Sequence, residues 1–125
     1  MIEVAGIWEL GYSAPLTEAD LWKFPLRDFD VDRWLMAPVS GINVREVEEF
    51  PDVESMLASA TGEIVFVDEN GAVELADFEH PQDVCYVFGK ASYSPMMGRQ
   101  EPSIRIDTPQ GKGLLWPHQA AVLVL

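Results

Sequence analysis

The stretch Val84-Cys85-Tyr86-Val87-Phe88-Gly89 decides the fold. Its apolar run stands between Pro81 and Gly89, too short for an independent helix and apolar on both faces. Such a run suits a central parallel strand covered by helices on both sides. Gly89 then permits a sharp exit, or a close approach of a ligand to the backbone. Further on, Ser103-Ile104-Arg105-Ile106-Asp107 alternates, which buries one face, and Thr108-Pro109 is expected to end the pairing. The loop Gln110-Gly111-Lys112-Gly113 follows, and from Leu114 the chain turns apolar again. Residues 116–125 read as a short helix with Pro117 in its first turn; the valines there also permit a strand, and the helix is preferred.

Upstream, residues 1–10 read as an opening strand interrupted by Gly6. Thr17 can cap a helix whose first turn carries Glu18 and Asp20 and whose apolar face is Leu21, Trp22, Phe24 and Leu26. Pro25 is expected to kink or end that helix. Residues 31–36 form a second strand stopped by Pro38, and residues 44–50 a short edge strand. Val53, Met56, Leu57 and Ala60 recur at helical spacing up to Gly62. Residues 63–68 give a third apolar strand, Glu69-Asn70-Gly71 a turn, and residues 72–75 an extended piece or a helical turn. Strand alternating with helix predicts an α/β fold with a mainly parallel sheet flanked by helices. A length of 125 residues with 48% hydrophobic content predicts a single domain over residues 1–125. In such sheets ligands bind at the carboxyl ends of strands, so the exits after Phe88 and Ile106 are the expected small-molecule site.

The 21 acidic and 8 basic side chains give a formal net charge of −13, which repels nucleic-acid phosphates at long range. Solubility accounts for that charge equally well. Lys90, Arg99, Arg105 and Lys112 nevertheless fall in the proposed ligand-loop region. The single Cys85 reads as a buried free thiol, which points to the cytoplasm. No secretory leader and no bilayer-spanning run is read from the sequence. His80, His118 and Cys85 have no metal-ligand spacing. His80, at a strand entrance, reads as structural; His118 lies near the last loop but has no partner carboxylate at recognisable spacing, so no catalytic residue is assigned. Ser92, Tyr93, Ser94 and Ser103 can meet a ribose or carboxylate, although serines in such loops more often have no ligand role. Met96-Met97 can cap an adenine or fill an apolar gap, the latter preferred. Lys112 between glycines lacks the spacing of a phosphate-binding loop.

The succession Asp77-Phe78-Glu79-His80-Pro81, then Val84 to Gly89, then Ile104-Arg105-Ile106-Asp107-Thr108-Pro109, then Leu115-Trp116-Pro117-His118-Gln119-Ala120-Ala121 resembles the SPOUT superfamily, specifically its SpoU/TrmH-like RNA 2′-O-methyltransferases. The resemblance implies an α/β sheet with a C-terminal trefoil knot, a homodimer, and S-adenosylmethionine (AdoMet) held among three loops. Carried onto this chain, the AdoMet-binding residues are Phe88, Gly89 and Lys90, then Ile106, Asp107, Thr108 and Pro109, then Leu114, Leu115 and Trp116. A structured RNA would be met through Lys90, Arg99, Arg105 and Lys112. The chain departs from the family's pattern at Ala91, where the family has glutamate, and at Trp116, where it has asparagine. The family's amino-terminal Asn-x-Gly-x-x-x-Arg motif is missing: alignment on Phe29-Asp30-Val31 puts Glu18, Asp20 and Phe24 at its Asn, Gly and Arg positions. The function implied is ribose 2′-O-methylation of tRNA or rRNA; the alternative is a catalytically inactive relative that binds AdoMet or a protein partner.

Overall fold

The computed structural model describes residues 1–8, 15–41, 45–89, 94–108, 111–112 and 117–125. Among these, the strands β1 (Ile2–Ile7), β2 (Arg33–Ala37), β3 (Val47–Glu49), β4 (Glu63–Val67), β5 (Val73–Glu74), β6 (Val84–Phe88) and β7 (Ser103–Arg105) form one sheet. Its order is β3-β2-β1-β6-β4-β7-β5, and every neighbouring pair is parallel. A separate antiparallel hairpin joins β8 (Asp107–Thr108) to β9 (Gly111–Lys112). The helices are α1 (Pro15–Asp28), α2 (Val53–Ser59) and α3 (Pro117–Val124), with a 3-10 turn at Leu75–Asp77. The protein is therefore α/β, with an all-parallel main sheet flanked by helices.

β6 stands at the centre of the sheet, and all of its side chains are buried. Val84, Tyr86 and Phe88 join the core on one face, with Val4, Trp22, Leu26, Met36, Val65, Ile104 and the α3 alanines Ala120 and Ala121. Cys85 and Val87 join the other face, with Leu35, Phe66 and the α2 residues Met56 and Leu57. The two-residue period of a strand divides one apolar run between two cores. Burial pushes the Cys85 thiol up to about 12.

Three local outcomes differ from the sequence reading. Pro25 does not end α1, which continues to Asp28, because burial of Ala19, Trp22 and Leu26 on one stripe outweighs the hydrogen bond that proline removes. Past the helix end at Asp28, Asp30 takes φ 54° and the Val31 N–H bonds the Leu26 carbonyl. Second, Gly6 does not interrupt β1, which runs unbroken from Ile2 to Ile7. Third, pairing does not end at Thr108: Gly111 and Lys112, read as loop, pair with Thr108 and Asp107. Residues 72–75 divide between the two structures foreseen for them, strand at Val73–Glu74 and 3-10 turn from Leu75. Asp52 caps α2 by accepting the Ser55 N–H at 2.8 Å, which lowers its own pKa. Gly6 leaves room for Trp22, whose ring atoms would come within 3.0 Å of a Cβ there.

At the amino edge of the sheet the Glu3 carboxylate is 0% exposed. It accepts the N–H groups of Thr61 (2.9 Å) and Gly62 (2.7 Å), the Thr61 hydroxyl (3.1 Å) and the Arg33 guanidinium. Arg33 also donates to the Ser59 carbonyl and, through two nitrogens, to Glu48. That fork raises the Arg33 pKa and lowers that of Glu48. Replacing Arg33 by Ala leaves a buried charge without its counter-ion. The expected loss is about 3–5 kcal/mol in urea unfolding; a loss within 1 kcal/mol, on the order of an exposed pair, contradicts it. Glu48 binds protons less readily folded than unfolded, so its contribution is present above its ordinary pKa of 4.5 and is lost as pH falls below that value. The stability gap between wild type and Glu48→Gln, about 1 kcal/mol for a half-exposed carboxylate, is expected to close between pH 7 and pH 3.

Candidate functional site at the carboxyl edge

Because the strands are parallel, their carboxyl ends gather on one edge. Val67 pairs with Phe88 on one side and Ile104 on the other, so the ends of β6, β4 and β7 lie in one row. At the usual strand spacing, Phe88 and Ile104 are about 10 Å apart. The ladder stops at Phe88 and at Arg105, which leaves Gly89 and Ile106 beyond the paired strands. Phe88 itself is buried edge-on against Trp22, at 5.9 Å between centroids, so only its main chain can serve a ligand. Ile106 is half-buried against the same core, and Asp107 is exposed.

Asp68 is the polar hub of this edge. Its N–H bonds the Ile104 carbonyl, and its carbonyl accepts the Gly71 N–H. One carboxylate oxygen accepts the Asn70 N–H at 2.9 Å, closing the turn, and the other takes the Ser94 hydroxyl at 2.5 Å. Ser94 follows β6, so this bond fastens the β6 exit to the end of β4. Gly71 lies so close to β7 that a Cβ would stand 2.3 Å from the Ile104 carbonyl, which makes glycine obligatory there. From Ser94 the chain crosses the α2 face. Met96 packs into that core, whereas Met97 is 80% exposed.

The edge's described arginines are each held in place. Arg99 lies over the Phe66 ring at 5.9 Å and pairs with Glu101 and, at 3.7 Å, with Glu54 at the start of α2. These carboxylates raise the Arg99 pKa, and the guanidinium lowers that of Glu101. Arg105 pairs with Asp107 at 3.3 Å and reaches the Gly71 and Ala72 carbonyls. Toward β3, the Trp8 indole donates to Glu49 at 2.8 Å, and the same oxygen accepts the Ser40 N–H.

Of the residues expected to hold AdoMet, the structure places Phe88, Gly89, Ile106, Asp107 and the main chain of Thr108 on this edge. Lys90, Pro109, Leu114, Leu115 and Trp116 lie outside the described residues, as do Ser92 and Tyr93 and the side chains of Lys112 and His118. His80 stands apart: its Nδ1 shares a hydrogen bond with the Tyr86 hydroxyl, and its ring packs edge-on against Phe78. The Ser103 hydroxyl accepts the Ala72 N–H, a bond internal to the fold. Among the described residues no group of three or more His, Cys, Asp or Glu is placed to hold a metal ion, and no helix is long and apolar enough to cross a membrane.

Two residues of this edge escaped the sequence reading. Asp68 looked like the end of a strand before a turn, although the Asp-x-Asn-Gly pattern marks a side chain that bonds its own turn. Glu18 was read only as an acid in the first turn of a helix, yet it is 5% exposed. Its signal was the spacing 18, 19, 22, 25 and 26, which is one buried stripe of α1.

No protein-family model and no curated protein matches this chain.

Replacing Asp68 by Ala is expected to free the segment from Ser94 to Arg99 while the sheet persists. Hydrogen exchange should speed up at Asn70 and Gly71, and the segment should become protease-sensitive, with a stability loss of about 1–3 kcal/mol. Unchanged exchange at Asn70 contradicts the role given to Asp68.

Proposed function

We propose that this chain is a SPOUT-like methyltransferase that uses AdoMet to methylate ribose 2′-hydroxyls of a structured RNA, and that its carboxy-terminal third is knotted. The observation that carries this reading is the position of β7. It inserts between β4 and β5, two strands that precede it, while the intervening chain from β5 returns to β6. That return packs Leu75 and Phe78 on the α1/α3 face. The segment leading into β7 covers the α2 face, through Met96 and Arg99. Beyond β7, Ala120 and Ala121 pack on the α1/α3 face. This path, from the α2 face into the sheet between two earlier strands and on to the α1/α3 face, is the support for a knotted thread.

Main-chain geometry at the strand exits supports AdoMet as the ligand. Main-chain groups at Gly89 and Ile106 lie beyond the ladder, about 10 Å apart across β4 by strand spacing, and half-buried Ile106 offers apolar surface for an adenine. Such contacts tolerate side-chain divergence. When bound, AdoMet supplies the methyl group; the protein's part is to hold and orient it against a hydroxyl. The same reading makes the protein a homodimer, and exposed Leu21 on α1 with Val122 and Leu123 on α3 supplies apolar surface for that contact.

One observation favours a second reading, an AdoMet-binding protein without RNA methylation. Arg99 and Arg105, half of the basic group expected to meet RNA, are already paired with carboxylates. Calorimetric titration with AdoMet is expected to give saturable heat; none at millimolar ligand ends both readings. Incubation with labelled AdoMet and total RNA then separates them. Label on RNA is the expected result, and label that stays off RNA at several salt concentrations selects the second reading.

A further inference from the structure

We infer that Asn70 is a site of covalent self-modification: its side-chain amide is lost to attack by the Gly71 main-chain nitrogen, and the turn built on Asp68 holds that reaction back until it opens. The inference concerns the chain's own backbone and does not rest on the AdoMet reading.

Of the chain's two asparagines, Asn43 and Asn70, only Asn70 is followed by glycine. Glycine has no side chain to shield its main-chain nitrogen, and Asn70 is exposed, so water and base reach it. Water is the one co-reactant. The Gly71 amide gives its proton to base, its nitrogen bonds the Asn70 side-chain carbonyl carbon, and the side-chain nitrogen takes up a proton and leaves as ammonia. Water then opens the cyclic imide at one of its two carbonyls, giving aspartate or isoaspartate; nothing is oxidised or reduced.

The fold opposes the first step. The Gly71 N–H donates to the Asp68 carbonyl at 3.0 Å, and the Asn70 N–H to an Asp68 carboxylate oxygen at 2.9 Å. The first bond closes a β-turn with Asn70 in its third place, where ψ is ordinarily about 0°. Ring closure requires rotation away from that angle, so that the Gly71 nitrogen faces the Asn70 side chain. β7 resists this rotation. Its Ile104 carbonyl holds the Asp68 N–H, the Ser103 hydroxyl accepts the Ala72 N–H, and Arg105 donates to the Gly71 and Ala72 carbonyls. The Asp68 carboxylate also disfavours a second negative charge on the neighbouring Gly71 nitrogen. The reaction therefore waits for local opening of the turn. Isoaspartate adds a methylene to the main chain beside Gly71, where even a Cβ would stand 2.3 Å from the Ile104 carbonyl, so a turn that reacts in this way does not close again on β7.

The test incubates the folded chain at mildly alkaline pH and follows aspartate and isoaspartate at position 70 by chromatography and mass spectrometry of the peptide. The same chain unfolded in guanidinium chloride gives the unrestrained rate. Folded wild type is expected to convert at least about tenfold more slowly than that, and folded Asp68→Ala about tenfold faster than wild type, with the turn's bonds weakened. Glu48→Gln, which weakens the opposite edge, is expected to keep the wild-type rate. A Glu48→Gln acceleration equal to that of Asp68→Ala would assign the reaction to global unfolding and overturn the role of the turn, as would Asp68→Ala converting at the wild-type rate. Folded wild type that converts as fast as the unfolded chain overturns the inference without any variant, so a misfolded Asp68→Ala does not protect it. An unfolded chain that keeps its Asn70 amide overturns the site itself.

Discussion

The Glu3 carboxylate is the constraint on which the sheet depends. A charge with no exposure to water costs several kcal/mol unless its oxygens are fully engaged, and here the partners come from β2 and from the turn that ends α2. Glu3 and Arg33 are direct neighbours in the β1–β2 register. A slip of one residue would turn Glu3 to the α1 face and break all of these bonds together, so one side chain fixes the alignment of two strands. Arg33 extends the constraint to β3 through Glu48 and to α2 through the Ser59 carbonyl. The amino edge thus joins β1, β2, β3 and α2 into one unit.

That arrangement leaves the carboxyl edge a different task. The side chains that act there tie connections to strand ends: Asp68 joins the β6 exit to β4, Arg105 holds the Gly71-Ala72 backbone, and Arg99 fastens the segment before β7 to α2. Gly71 lets the β4–β5 connection pass against β7 at a distance no side chain would permit. Each tie joins segments that are distant in the chain, so the geometry of the edge depends on the order of strands rather than on any local motif. An edge built this way depends on topology, and its sequence is free to diverge.

What the sequence made legible follows from this division. The central position of β6 was readable because a strand covered on both faces must be apolar at every position, and 84–88 is. α2 was readable from its apolar spacing. Glu3 was not, since an acid in an alternating strand looks solvent-facing and nothing local links it to Arg33. Of the two outcomes expected at Pro25, a kink or an end, the end does not occur, because the penalty of Pro25 is local whereas the packing of Trp22 that overrides it is tertiary. For the carboxyl edge, the strand exits were legible as places, from Gly89 and from the end of the 103–107 alternation. The ties that organise them were not, because Asp68, Ser94 and Arg99 acquire their roles only when β7 enters between β4 and β5.

The strong negative charge gains a local meaning at this edge. By composition alone, −13 states only that polyanions are repelled at a distance. The structure shows how the arginines at hand are used: Arg99 is enclosed by Glu54, Glu101 and the Phe66 ring, and Arg105 by Asp107 and two carbonyls. A guanidinium so held has part of its charge and some of its five donors already engaged, so it attracts a phosphate less strongly than an unpaired one. Among the described residues of this edge, Asp107 balances Arg105 and Glu101 balances Arg99, so the negative charge left over is that of Glu54, Asp68 and Glu49. A cationic small molecule meets that remaining charge as attraction.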